Sequence, residues 1–186
     1  MTPLHARTLN ALGLLGCCAV LLVAFGYQVR LGELPCPLCL LQRAAFAAAG
    51  IGFALGVRFG PRPSHYGIAI LSAIAGAAIA ARQVALHVVP GTGGYGSTLF
   101  GLHFYTLALI GFVALIGAVA VLLVLADTPQ PAARTGQLAG LFGMACLLLL
   151  LGVTLANALS TAAECGIGLC PDDPTRYEAL DAWLNR

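Results

Sequence analysis

The chain has 186 residues, of which 60% are hydrophobic and 9% charged, with no lysine. A soluble domain carries about a quarter charged residues, so the composition excludes a water-soluble globular protein and puts the chain in a lipid bilayer. The formal net charge of +2 is not gathered into any basic cluster, which leaves no footing for nucleic acid.

Crossing the hydrocarbon core as a helix takes roughly twenty apolar residues. Five runs meet or approach that length, so the expected fold class is an all-α integral membrane protein. The first run, Leu9 to Tyr27, follows His5 and Arg7 as a signal sequence would. It is long enough to span and no A-x-A site follows it, so it is expected to stay as the first transmembrane helix. The second, Leu40 to Val57, is short unless it extends toward Cys36. The third runs from Tyr66 to Leu86, the fourth from Leu102 to Ala126 and the fifth from Leu138 to Leu159. Small residues recur in the third (Ala73, Gly76, Ala77, Ala80) and fourth (Gly111, Gly117). They allow close backbone approach in lipid, and a tight bundle is expected. In the tail, Asp173-Pro174 reads as a helix start. Tyr177, Leu180, Trp183 and Leu184 then recur at helical spacing. The expectation is a short amphipathic helix, lying on the membrane surface or packed on the loops.

Arginines orient the bundle. Arg7 precedes the first run, Arg58 and Arg62 lie between the second and third, and Arg134, with Pro129 and Pro131, lies between the fourth and fifth. The opposite short connections hold only Arg30. The positive-inside rule then puts the N-terminus in the cytoplasm, and an odd number of spans puts the tail outside. With that topology Cys36, Cys39, Cys165 and Cys170 share the outer side, where oxidation is allowed. Cys17, Cys18 and Cys146 fall inside apolar runs and are read as small apolar fillers.

The chemistry centres on Leu34-Pro35-Cys36-Pro37-Leu38-Cys39-Leu40-Leu41-Gln42-Arg43. A C-x-x-C pair stands there at the mouth of a helix, where aligned peptide dipoles favour a thiolate, the reactive species in disulfide exchange. An inert disulfide and a metal pair are the alternatives. A two-residue spacer makes a poor staple, and a metal needs two further ligands, which Cys165 and Cys170 would have to supply. The second pair, Cys165 and Cys170, encloses two glycines that permit sharp turns, so an intraloop disulfide is expected there, either as an exchanging shuttle or as a static clasp. Arg43 and Arg82 are charges inside spanning runs, and such charges are functional candidates by default; each can stabilise an anion or snorkel to the interface. His87 can relay a proton or sit as an interfacial histidine, and His103 and Tyr105 read as interfacial anchors.

The motif C-P-L-C-L-L-Q-R, with A-R-Q-V-A-L-H-V-V-P further on, resembles the disulfide bond formation protein B (DsbB) family of bacterial inner membranes over roughly residues 9–126. The resemblance implies a four-helix bundle that reoxidises a periplasmic thioredoxin-fold oxidase (DsbA-like) and passes electrons to ubiquinone or menaquinone. It implies that Cys36 and Cys39 are the quinone-coupled pair, with Cys39 next to the quinone and Cys36 exchanging with a second pair. It implies that Arg43 is the quinone-site arginine and that Arg82 matches the arginine of the third helix; it carries no role to His87. The chain departs from the family in one respect. The second pair of the best-known members lies between helices three and four, whereas here that loop, Pro90 to Phe100, has no cysteine. The division expected is a DsbB-like bundle over residues 1–126, with a fifth helix and cysteine-bearing tail over 127–186 in which Cys165 and Cys170 replace the loop pair. A transmembrane thiol reductase and a membrane metal-binding or assembly protein are the rival readings.

Overall fold

The computed structural model describes residues 3–125, 137–166 and 168–184. The expected loop bearing Pro129, Pro131 and Arg134 lies outside them. Five long helices carry the fold: α1 (Pro3–Leu31), α2 (Pro37–Phe59), α3 (Pro63–His87), α4 (Phe104–Leu125) and α5 (Gln137–Cys165). Each is long and apolar enough to cross a membrane, so the chain is an all-α, multi-pass membrane protein. A hairpin of β1 (Thr98–Leu99) and β2 (Leu102–His103) and a short α6 (Glu178–Leu184) complete it.

The helix starts follow from local chemistry. α2 begins at Pro37 because proline at the first helical position loses no hydrogen bond and is already at a helical φ, while the Cys36 sulfur accepts from the Cys39 N–H at 3.2 Å. The second span therefore does extend to the C-x-x-C pair. α3 also opens on a proline, Pro63, but without a side-chain cap. Gly32 (φ 68°) follows α1 and Gly60 (φ 86°) follows α2, left-handed positions where glycine costs least.

Five boundaries differ from expectation. Arg7 lies inside α1, and Arg58 inside the last turn of α2. α5 runs past Leu159 to Cys165, where Gly166 (φ 62°) turns the chain and its N–H closes on the Ala162 carbonyl at 2.9 Å. α6 starts at Glu178 rather than at Asp173-Pro174. His103 belongs to β2, and α4 opens one residue later.

α2 packs between α1 and α3, α4 packs on α3, and α5 lies against α1 and α2. Small residues set the closest approaches. A Cβ on Gly52 would stand 2.7 Å from the His65 carbonyl oxygen and 2.8 Å from the Ala69 nitrogen, so α2 meets α3 backbone to backbone. Gly76 receives the ring of Phe112, which stacks on Phe46 with centroids 3.9 Å apart. Gly117, by contrast, faces open space. Cys17, Cys18 and Cys146 are buried free thiols in the shared core with Leu14, Phe53 and Leu150. Outward-facing Val121, Val124, Leu148, Leu151 and Leu155 are exposed, a surface suited to hydrocarbon.

Gly52→Ala must push α3 away and is expected to lower stability by about 1–3 kcal/mol. Gly117→Ala meets no neighbour and is expected to be neutral or slightly stabilising. Thermal unfolding of both variants in detergent, against the parent chain, checks the contrast.

Candidate functional site

Both cysteine pairs lie at one end of the bundle. Cys36 is disulfide-bonded to Cys39, and Cys165 to Cys170, with Cα separations of 5.0 and 4.6 Å. The first pair caps the N-terminus of α2. The second starts at the last residue of α5, so it is anchored by its first member and is not carried on a free tail. Cys165 is buried, Cys170 is half-buried, and Leu169 between them is 98% exposed.

Two glutamines hold the first pair. Gln83 of α3, 1% exposed, donates through Nε2 to the Cys36 sulfur at 3.2 Å and to the Cys39 sulfur at 3.4 Å. Its Oε1 accepts from Gln42 Nε2 at 2.7 Å. Amide donors aimed at both sulfurs favour negative charge there, in the same sense as the helix N-terminus.

Beside the pair is a cavity of about 330 Å³ between α1, α2 and α4. Its walls are mostly apolar, with Val20, Val23, Phe46 and Leu107 among them, and Cys39, Gln42 and Arg43 stand on its α2 wall. Arg43 is held from three sides: Nη1 donates to Gln28 Oε1 at 2.6 Å and to Asn157 Oδ1 at 3.1 Å, and Nη2 donates to the Ala24 carbonyl at 3.1 Å. Gln28 in turn donates through Nε2 to Ser160 Oγ at 2.7 Å and to the Tyr177 hydroxyl at 3.1 Å. Glu164 of α5 is fully buried, and among the described residues neither of its carboxylate oxygens has a hydrogen-bond partner. Its charge and that of Arg43 act on each other.

The glycine-rich connection between α3 and α4 closes over this end. Tyr95 donates to the Leu34 carbonyl at 2.8 Å, Ser97 N–H donates to Glu33 Oε2 at 2.9 Å, and the Ser97 hydroxyl bonds the same carboxylate. Tyr95, Gly96 and Leu99 thereby line the cavity. The Tyr95 phenol is pushed up to about 12, first by burial and then by the carboxylates of Asp173, Glu164 and Glu33. Phe100 and Gly101 both have positive φ (54° and 78°) at the hairpin tip, as a two-residue turn of the tightest kind requires.

Of the residues singled out in the sequence, Cys36, Cys39 and Arg43 come together, with Cys165 and Cys170 at the same end. Arg82 does not join them: it is exposed and outside the cavity lining. The next residue, Gln83, points inward instead, one residue being about 100° of helical rotation. His87 is half-buried, its Nδ1 lies 2.8 Å from the Gln83 carbonyl, and its ring stacks on Tyr105, which lines the cavity and stacks also on His103. His87 therefore stands behind the cavity wall. Gln28, Glu33 and Tyr95 lie outside the motifs, and Gln42 and Gln83 stand inside them with no role assigned. A polar amide inside an apolar run was the available signal. α6 shows its apolar side chains outward, with Trp183 71% exposed, and among the described residues no group of three or more His, Cys, Asp or Glu is placed to hold a metal.

The sequence model of the family described as "Disulfide bond formation protein DsbB" matches residues 6–95, which covers α1 to α3 and the start of the following connection. Curated relatives named disulfide bond formation protein B give concordant matches. The one from Xanthomonas axonopodis pv. citri is 43% identical over 84 residues, 42% of this chain and 49% of its own. The one from Chromohalobacter salexigens is 40% identical over 84 residues, with the same shares. The one from Azoarcus sp. is 39% identical over 79 residues, 39% of this chain and 47% of its own. The chain thus spans about half the length of the curated relatives it matches. No solved structure matches at a comparable level of significance.

Two measurements check this geometry. Gln83→Leu removes the donor to both sulfurs and leaves the Gln42 amide without its acceptor. It is expected to slow iodoacetamide alkylation of reduced Cys36 at neutral pH by about threefold or more, and to cost about 1–3 kcal/mol in thermal unfolding. Tyr95 is raised from an ordinary value of 10.0, so the folded state favours the neutral phenol. The stability it adds is complete below about pH 10 and is lost as pH rises toward about 12. Phenolate absorbance should show late-titrating tyrosine, and Tyr95→Phe should reduce the amplitude of that late step by one phenol.

Proposed function

We propose, from the match of residues 6–95 to the DsbB family, that this chain is a thiol:quinone oxidoreductase of that family in a bacterial inner membrane and supports disulfide bond formation. The observation that carries the reading is the placement of Cys39, disulfide-bonded to Cys36, and of Arg43 on one wall of a mostly apolar cavity. An apolar wall with few convergent polar groups suits a lipid-soluble ring, and ubiquinone or menaquinone is the acceptor proposed. When bound, the quinone supplies a sink for two electrons and two protons.

The chain's own residues do the rest. A reduced DsbA-like partner attacks the Cys165–Cys170 disulfide through a thiolate, forms a mixed disulfide, and leaves the tail pair as two thiols while the partner is oxidised. The tail thiols then reduce Cys36–Cys39 and regain their own disulfide. Cys39, which lines the cavity, is the sulfur that faces the acceptor, and Gln83 and the α2 N-terminus hold it as a thiolate. Arg43 offers a fixed positive charge where the acceptor gains negative charge. Reoxidation of the Cys36–Cys39 dithiol releases two electrons and two protons, which balance the quinol formed. Partner oxidases of this kind are strong oxidants, near −120 mV, so a quinone is a competent terminal acceptor and a glutathione pool is not. The proposed orientation has the N-terminus in the cytoplasm and both disulfides in the periplasm.

Quinone reduction by purified protein, followed by absorbance with a reduced thioredoxin-fold oxidase as donor, tests this. Turnover is expected in the parent chain and lost in both Cys39→Ala and Cys165→Ala. Loss in Cys39→Ala alone would keep the reaction and reduce the second disulfide to a clasp. No turnover with either quinone would overturn the proposal. Stoichiometric zinc or copper on the reduced protein would then favour the metal-binding reading. Loss of activity when Cys17, Cys18 and Cys146 are all replaced would favour a reductase.

A further inference from the structure

The residues that hold Arg43 come partly from outside the family match. The match ends at residue 95, yet Asn157 of α5 accepts from Arg43 Nη1 at 3.1 Å, and Ser160 of α5 and Tyr177 of the tail fix Gln28, the second acceptor of the same nitrogen. Asn157 is itself oriented. Its Nδ2 donates to the Val153 carbonyl at 2.8 Å, one turn back on α5, which turns its Oδ1 toward the guanidinium. An asparagine buried in an apolar helix costs free energy unless both ends of its amide are used, and here both are. Its helix lies against α1 and α2, so the amide brings a third helix to Arg43.

The geometry points to Asn157 as a positioning residue of the acceptor site: α5 aims the Arg43 guanidinium into the cavity through Asn157 Oδ1. This inference rests on the thiol:quinone reading for its kinetic arm but not for its geometric arm. Without Asn157, Nη1 keeps only Gln28 and Nη2 the Ala24 carbonyl, so the guanidinium loses its tie to α5 and is free to turn about its two α1 acceptors. Binding of an acceptor in the cavity should then weaken, while exchange between the two disulfides, which does not pass through Arg43, should not.

The test compares Asn157→Ala, which deletes the amide without adding bulk, with Asn157→Asp, which keeps an acceptor oxygen at the same place. With a short-chain ubiquinone and saturating reduced donor, Asn157→Ala is expected to raise KM for the quinone about tenfold and to leave kcat within about twofold, the size of effect set by one hydrogen bond to a charged group. Asn157→Asp is expected to keep KM near the parent value. In parallel, modification of Arg43 by phenylglyoxal, read by mass spectrometry without any quinone, is expected to be faster in Asn157→Ala than in the parent and in Asn157→Asp. An unchanged KM in Asn157→Ala overturns the inference. So does a parallel fall of kcat and thermal stability in both variants with KM unmoved, which would mark a purely structural asparagine. If the parent chain reduces no quinone, the functional reading fails by itself. The phenylglyoxal comparison then decides the positioning claim: faster modification in Asn157→Ala supports it, and equal rates overturn it.

Discussion

A guanidinium cannot shed its charge, and inside an apolar bundle it cannot be left bare. Arg43 is satisfied by three acceptors on two helices: Gln28 on α1, the Ala24 carbonyl one turn earlier, and Asn157 on α5. Meeting that demand creates the next one, because Gln28 then has an amide nitrogen to place, and it finds Ser160 and Tyr177. One unavoidable charge thus propagates into a polar chain that joins the first, second and fifth helices to the tail. Hydrophobic burial does little to choose between helix neighbours in lipid. Polar links of this kind, with close contacts such as Gly52 on α3, give the end of the bundle a defined arrangement.

The cysteine pair is held on a separate set of contacts. Cys36 and Cys39 take their hydrogen bonds from the start of their own helix and from Gln83, and Gln83 is held by Gln42. Cys39 and Arg43 therefore share a cavity without sharing a hydrogen-bond partner. Separate support lets the environment of the sulfurs and that of the guanidinium beside them be set independently. Cys165 is attached to the same framework through the last turn of α5, whose capping glycine carries the chain directly into the second disulfide.

Much of this was readable from the sequence, for identifiable reasons. The helices are legible because uninterrupted hydropathy of that length has few other uses, and Pro37 and Pro63 mark two starts by fixing φ. The C-x-x-C pair and Arg43 stand out because thiols and charges are conspicuous in an apolar run. The fifth helix ran longer than expected because Ser160 to Glu164 interrupts hydropathy without interrupting the helix, and only Gly166 stops it. The aromatic spacing of the tail was real, but its helix begins after Tyr177, which is occupied by Gln28. Arg82 drew attention by its charge, whereas its neighbour Gln83 holds the sulfurs; the rotational phase of a helix that is apolar on nearly every face is weakly written in its sequence. The three site glutamines were illegible for a related reason. A neutral amide changes the hydropathy profile little, and its role appears only when the partner from another helix is in view.

Val20 and Val23 line the cavity and yet remain 40% and 43% exposed on the outer flank of α1. The side wall is therefore thin on the flank that faces the acyl chains. A molecule reaching the cavity from that direction diffuses in two dimensions. Its local abundance is set by mole fraction in the lipid rather than by concentration in water. For the acceptor proposed above, the head would lie at Arg43 while the isoprenoid tail stayed dissolved outside, so tail length would add residence in the bilayer without adding steric demand on the site. Discrimination among acceptors then depends on partitioning before it depends on any contact the protein makes.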